Sequence, residues 1–346
     1  MADRPATRTL QIHVTRRCNL TCRHCYSSSG PDVREALEAR ALTAALDDAA
    51  ALGFTFATLS GGEPFLYPAA PEIVAHAKGL GMRTAIVTNG MYLDPRRLAP
   101  LQGALDLLAV SLDGAPARHD WMRANPRAFE TMAAKLPALR DSGVPFGFLF
   151  TLSRDNVGEI AWAAEFAVEQ GAALLQIHPL DTTGRAEGDA EMAAAKPDDD
   201  AALRAAEAAT AAQARWEGRL KVVLDYQLSM PGSPEIAPEI ARGRCGREAG
   251  FADVTSPLVI ESDGAILPMG HGFARRFAVG RLGQGRLAQM AADWMRDGRA
   301  EAFRDLVART RVETRAETEA AATPRLRNLA HAYRRASLAA PDASAA

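Results

Sequence analysis

Arg17-Cys18-Asn19-Leu20-Thr21-Cys22-Arg23-His24-Cys25-Tyr26-Ser27 is the stretch on which the fold and chemistry of this chain turn. It holds three of the four cysteines among 346 residues, at Cys-x3-Cys-x2-Cys spacing. It follows a strand-like run, Thr9-Leu10-Gln11-Ile12-His13-Val14-Thr15. Cysteines so close on one loop can converge on one metal centre. Outside an oxidising compartment such a group points to metal or catalysis rather than to a disulfide framework. Three thiolates fall one short of a four-coordinate structural zinc site. They can instead hold three irons of a cubane iron–sulfur cluster, leaving the fourth iron open to another ligand. An open metal position implies reaction. A zinc knuckle with His24 as fourth ligand is the alternative.

Outward from this loop the chain alternates strand and helix. Strands are predicted over 9–15, 54–60, 82–88, 105–112, 145–152 and 173–180. Helices are predicted over 33–52, 69–80, from Asp94-Pro95 onward, over 126–141 and over 156–170, with Gly53, Gly81, Gly143 and Gly171 as stops. Continuous apolar strands alternating with helices argue a parallel sheet covered by helices, and right-handed crossovers curl such a sheet. The expected class is α/β, a partial (β/α)6 TIM-like barrel over residues 1–185. In such barrels the active site lies at the C-terminal strand ends. The polar and glycine clusters fall there in turn: the cysteine loop, Gly61-Gly62-Glu63-Pro64, Thr88-Asn89, Ser111 with Asp113, Ser153, and His178.

Beyond residue 185 the composition changes. Residues 186–240 read as an Ala-rich, charged surface helix, a strand over 221–226 and a Pro-rich linker. Residues 241–310 read as a small α+β extension with a hairpin over 252–269, turning at Ser262-Asp263-Gly264, and a helix over 287–308. Residues 311–346 read as a helical or partly disordered tail. Hydrophobic residues make up 48% of the chain and charged residues 24%, enough for a sizeable core. A net charge of −2 with interspersed signs disfavours a nucleic-acid partner. No signal peptide or bilayer-spanning run is evident, so a cytoplasmic location is expected.

Cys18-x3-Cys22-x2-Cys25 followed by Gly61-Gly62-Glu63-Pro64 resembles the radical S-adenosylmethionine (radical SAM) superfamily. The flanking Arg17-Cys18-Asn19-Leu20 and His24-Cys25-Tyr26-Ser27 look like its subgroup with a SPASM or Twitch extension. The resemblance covers about residues 9–185, and more weakly 243–285. It implies a [4Fe–4S] cluster on Cys18, Cys22 and Cys25 whose open iron binds SAM, and a 5′-deoxyadenosyl radical that takes hydrogen from substrate. It places SAM contacts on Gly61, Gly62, Glu63, Pro64, Thr88, Asn89, Ser111, Asp113, Ser153 and His178. Strand-end capping is the plainer role for Thr88, Asn89, Ser111, Asp113 and Ser153, and a satisfied core histidine for His178. Asp113, His119, Asp120 and Arg123 either line the substrate mouth or lock a loop through an Asp–Arg pair. Tyr26 and Tyr67 either pack on cofactor or simply pack.

The extension departs from the subgroup pattern. Arg244-Cys245-Gly246 matches its opening, but Pro268-Met269 stands where Pro-Cys is expected and no cysteine follows. It therefore reads as a remnant without an auxiliary cluster. Cys245 is either a thiol near substrate, with His271 as a possible companion, or a structural residue. Candidate catalytic residues are Cys245, Asp113 and Tyr26. The implied substrate is a ribosomally made peptide, with a small natural-product intermediate such as a sugar or nucleoside as alternative. A zinc-binding or redox-sensing regulator is the reading from another class. Implied partners are flavodoxin or ferredoxin as electron donor. The first strand starts too early for a leader-binding domain before it, so a separate leader-peptide-binding protein is a further implied partner.

Overall fold

The computed structural model describes residues 7–225, 227–229, 249–319, 325–327 and 329–339. Cys245 and the linker expected over 230–238 lie outside them. The six strands are β1 (Thr9–Thr15), β2 (Phe56–Gly61), β3 (Arg83–Thr88), β4 (Leu107–Ser111), β5 (Phe146–Leu152) and β6 (Leu174–Pro179). They pair in parallel, in sequence order. The helices between them are α1 (Ala39–Ala51), α2 (Ala70–Gly79), α3 (Pro95–Leu98), α4 (Pro116–Arg123), α5 (Ala128–Ala133), α6 (Leu136–Ser142) and α7 (Ile160–Glu169).

Strand residues alternate between two faces. Leu10, Ile12, Val14, Ala57, Leu59, Ile86, Leu108, Val110, Phe148, Phe150, Leu175 and Ile177 are buried in the main core with residues of α1, α2, α6 and α7. Their neighbours Gln11, Thr58, Val87, Leu149, Thr151, Gln176 and His178 are only half-buried. Helices thus cover one face, and the other forms a half-open trough. Five strand spacings would put β1 and β6 about 24 Å apart in a flat sheet. Yet Arg185, just after β6, donates its backbone N–H to the Cys25 carbonyl at 2.9 Å, and Cys25 follows β1. The loops after the first and sixth strands thus meet over one end of the sheet.

Several boundaries differ from expectation for local reasons. Residues before Ala39 are not helical because they run back along the end of β1: Leu37 donates to Val14 O at 2.9 Å and Arg16 to Glu35 O at 3.0 Å. The helix expected over 126–141 is two helices, because Pro137 has no N–H to continue one and sits in the first turn of α6. The Ala-rich segment is not merely a surface helix. After α8 (Ala190–Ala195), α9 (Asp199–Arg215) buries Ala201, Ala205, Ala209 and Ala212. It is the crossover to β7 (Lys221–Leu224), which pairs in parallel with β6. An alanine stripe is easily missed as an apolar face, because only its spacing marks it.

The extension joins the same sheet. Residues Val254 and Thr255, expected in a strand, close the short helix α10 (Phe251–Thr255) ahead of Pro257. Then β9 (Leu258–Ile260) pairs in parallel with β1, followed by antiparallel β10 (Ala265–Pro268) and β11 (Gly280–Arg281). The order is β11-β10-β9-β1-β2-β3-β4-β5-β6-β7. The helix expected over 287–308 breaks at Gly298, whose φ is +89°, into α11 (Leu287–Arg296) and α12 (Arg299–Glu319). A separate pair joins β8 (Gln227–Ser229) to β12 (Arg325–Arg327), and α13 (Leu329–Ala339) follows. Among the described residues no helix is long and apolar enough to cross a membrane.

Candidate active site at the C-terminal strand ends

The loop after β1 is held by backbone bonds on both sides. Cys18 N–H donates to Gly30 O at 3.1 Å, and Arg23 N–H to Met122 O, at the end of α4, at 3.0 Å. The Arg185 guanidinium donates to the carbonyls of Cys22 (2.7 Å) and Ser29 (2.5 Å). Cys18 and Cys22 are buried and Cys25 half-buried, with no disulfide between them. Each sulfur has a donor nearby: Asn89 Nδ2 at 3.8 Å from Cys18, Arg123 Nη1 at 3.9 Å from Cys22, and Ser29 N–H at 3.3 Å from Cys25. Burial pushes the Cys18 thiol up to about 12. Burial also raises Cys22, against the pull of Arg123.

Both His24 ring nitrogens lie beside other groups. Its Nδ1 lies 3.3 Å from Met122 O and its Nε2 3.9 Å from Asp113 Oδ2. A zinc knuckle thus loses its fourth ligand. Among the described residues, no three His, Cys, Asp or Glu side chains converge on a single ion.

Gly61 and Gly62 are where the cysteine loop crosses the end of β2. Gly62 N–H donates to Thr15 O at 2.7 Å, and Glu63 N–H to Arg17 O at 2.9 Å. A Cβ on Gly61 would stand 2.5 Å from Thr15 O, and one on Gly62 2.3 Å from Arg17 O. The Gly62 and Glu63 backbone N–H groups are thus spent on this crossing. Pro64 opens a turn, Pro64–Leu66. The Glu63 carboxylate is fully buried and accepts from Phe65 N–H (3.0 Å), Thr88 Oγ1 (2.9 Å) and Asn89 N–H (2.9 Å). Burial raises its pKa, and these bonds only partly offset that. Asn89 in turn donates to Asn19 Oδ1 at 2.8 Å. Glu63 thereby ties the end of β3 to the cysteine loop.

A second group lies at the ends of β4 and β5, where Ser111 is buried. Asp113 and Ser153 are fully buried, and Asp113 Oδ1 and Ser153 Oγ have no hydrogen-bond partner among the described residues. Unpartnered buried polar atoms call for an explanation, and a ligand is one. Asp113 Oδ2 receives Arg123 Nε at 2.5 Å, and Asp113 N–H donates to His119 Nδ1 at 3.2 Å. Burial opposes ionisation of Asp113, but Arg123 above all holds its pKa well below the usual range. Burial lowers His119 to about 3, which leaves its Nδ1 free to accept. The Asp–Arg lock expected there is present.

Sequence reasoning treated Asn156 only as a helix start. It is fully buried, and its side chain accepts from Ser153 N–H (2.7 Å) and donates to Asp113 O (2.9 Å) and Thr151 O (2.8 Å). Its place three residues after Ser153, before a helix, was the available signal. Replacing Asn156 by alanine leaves up to three buried backbone groups unpaired, at about 1–3 kcal/mol each. A thermal melt should register a clear drop, and Asn156→Asp should recover the Ser153 contact alone.

Two further groups line the trough. His178 pairs with Asp225 at 2.5 Å, and Gln176 donates to the same carboxylate at 2.9 Å. At the other end, Tyr26 Oη lies 3.4 Å from His13 Nε2, which lies 3.1 Å from Gln11 Nε2. The Tyr26 and His271 rings are 4.9 Å apart, and His271 Nδ1 lies 3.0 Å from Glu261 Oε1. Burial lowers His13 to about 3 and raises Tyr26 to about 12, so both are neutral. Burial disfavours the Glu261 carboxylate, yet His271, the Gly272 N–H and Arg275 hold it at about 2. Sequence reasoning missed His13, Gln11 and Glu261. Tyr67 is buried and donates to Leu37 O at 2.8 Å, so it packs.

A parallel sheet with a three-cysteine loop after its first strand and a buried carboxylate after its second defines a redox-cofactor enzyme scaffold. Residues 12–167 match the family described as the Radical SAM superfamily. An AdoMet-dependent heme synthase from Methanosarcina barkeri is 35% identical over 193 residues, which is 55% of each chain. A PqqA peptide cyclase from Ruegeria pomeroyi is 30% identical over 271 residues, 76% of this chain and 68% of that one. Streptococcus suis SuiB, crystallised with its precursor peptide SuiA, superposes with a TM-score of 0.67 at 16% identity, covering 86% of this chain and 66% of that one. The chain spans little more than half the length of the heme synthase it matches.

This chain belongs to the radical SAM superfamily, whose members use a [4Fe–4S] cluster and S-adenosylmethionine. Its architecture is the partial TIM barrel of that superfamily. The residues present fit those cofactors: three thiols, each with a nearby donor, and the orphaned oxygens of Asp113 and Ser153.

Proposed function

We propose that Cys18, Cys22 and Cys25 hold three irons of a [4Fe–4S] cluster, and that this chain abstracts hydrogen from a ribosomally synthesised peptide. When bound, the cluster and S-adenosylmethionine supply an electron and a 5′-deoxyadenosyl radical. The chain's own residues do the rest. Ser29 N–H, Asn89 and Arg123 stand beside the three sulfurs. Glu63 fixes Asn89, and Gly61-Gly62 let the cysteine loop lie flat across β2. Ser111, Ser153 and Asp113 Oδ1 offer polar atoms to S-adenosylmethionine from β4 and β5, and His178 offers one from the trough. The half-open trough receives substrate, with Tyr26, His13 and His271 lining the end beside Cys25.

The crossing of the cysteine loop over Gly61-Gly62 carries the assignment, because it unites the two motifs in one object. The peptide reading is supported by the span of the PqqA peptide cyclase match, which runs over 76% of this chain. A small-molecule substrate is the second reading, favoured by the higher identity of the heme synthase match over 193 residues. A flavodoxin or ferredoxin donates the electron, and a separate protein presents the peptide leader.

Anaerobic protein with S-adenosylmethionine and dithionite should release 5′-deoxyadenosine faster with the right substrate present. With a deuterated substrate the label should enter the 5′-deoxyadenosine. Label transfer from a candidate precursor peptide supports the peptide reading; transfer only from a non-peptide metabolite replaces it with the second. Zinc in place of iron and sulfide in anaerobically prepared protein would refute both.

A further inference from the structure

We propose that Arg123 sets the reduction potential of the centre held by Cys22, with Asp113 as its counterweight. This rests on the assignment of Cys22 as a cluster ligand. Arg123 is the last residue of α4, only 8% exposed, and its guanidinium is shared between two groups. Nε bonds Asp113 Oδ2 at 2.5 Å, and Nη1 lies 3.9 Å from Cys22 Sγ. Arginine suits this place because its rigid fork can serve a carboxylate and a sulfur at once; lysine offers a single mobile ammonium.

The placement is built rather than incidental, for α4 is pinned around this point. His119 accepts the Asp113 N–H, and Asp120 Oδ1 accepts the Phe129 N–H at 2.8 Å. Met122 is fully buried against Leu180, Ala186 and Met192. His119, Met122 and Arg123 are buried on one helical face, at i, i+3 and i+4 spacing. The Met122 carbonyl meets Arg23 N–H and His24 Nδ1, so the end of α4 is docked on the cysteine loop itself. Ala124 ends the helix in the left-handed region, with φ +50°.

Charge and hydrogen bonds at the sulfurs set the potentials of iron–sulfur centres. Reduction adds negative charge, so a buried cation beside Cys22 favours the reduced form and raises the potential. Asp113 opposes that effect by neutralising the same cation. Losing the guanidinium should therefore lower the midpoint potential, and losing the carboxylate should raise it.

The test is a potentiometric titration of reconstituted, S-adenosylmethionine-free protein, followed by electron paramagnetic resonance of the reduced state. Arg123→Gln should shift the midpoint potential downward, Arg123→Lys should restore part of that shift, and Asp113→Asn should shift it upward. A structural role alone would not give shifts of opposite sign. If Arg123→Gln does not fold, the sign of the Asp113→Asn shift still decides. Wild-type potential in all three variants, or a downward shift in Asp113→Asn, overturns the proposal while leaving the cluster assignment intact. Absence of iron and sulfide from the wild-type protein overturns the cluster assignment instead, and this proposal with it.

Discussion

Serine at position 18, 22 or 25 is expected to abolish 5′-deoxyadenosine formation. The wild-type chain, reconstituted anaerobically, should carry about four irons and four sulfides. Each single variant should hold substoichiometric iron, lose its visible absorption and leave S-adenosylmethionine uncleaved. The effect should be nearly total, because a hydroxyl is a poor replacement for a soft thiolate ligand to iron. It should also leave the fold intact. The loop is held mainly by bonds that no cysteine side chain makes, such as Arg185 to the Cys22 and Ser29 carbonyls. A variant with a wild-type melt, no cluster and no cleavage is the expected result. Full iron content in any of the three would remove that cysteine from the ligand set.

Gly62→Ala should be among the most damaging single-methyl changes in the barrel. The new Cβ would meet Arg17 O at 2.3 Å, Arg17 C at 2.8 Å and Arg16 C at 2.9 Å. All three are backbone atoms of the cysteine loop, so no side chain can swing aside. Overpacking of this kind costs about 3 kcal/mol or more where the backbone must move, a melting shift of about 4 °C or more for a chain of 346 residues. The strain falls on the loop that carries Cys18, so iron content should fall together with stability. Gly79→Ala is the matching control. Nothing lies within 4 Å of its would-be Cβ at the end of α2, and alanine there should be neutral or stabilising by up to about 1 kcal/mol. Equal damage from the two substitutions would show that the crossing is not tight.

The β/α alternation was legible because each strand is a short apolar run bounded by a glycine stop and a polar strand end. The cysteine spacing and Gly61-Gly62-Glu63-Pro64 were legible as motifs. What escaped depended on distance in the chain. Arg185 acts on carbonyls more than 150 residues earlier, with a separation of 163 to Cys22. Glu261 and His271 reach Tyr26 only because β9 pairs beside β1. The α9 crossover was hidden because alanine marks no contrast between buried and exposed faces. The reason for the glycines was also only half visible. They leave room for the backbone at Thr15 and Arg17, which a reading of local sequence cannot foresee. Asn156 was read only as the first residue of a helix; its side chain, which makes no cap bond, braces β4 and β5.

The Arg185 clamp also has a bearing on when this protein can become functional during its synthesis. The cysteine loop is synthesised before the groups that hold it in shape. Met122 and Arg123 come next, and Arg185 after them. Contacts of such long sequence separation form late in folding. On the proposed ligand set, cluster insertion would follow the synthesis of Arg185, six residues past the sixth strand, because only then can the loop be clamped.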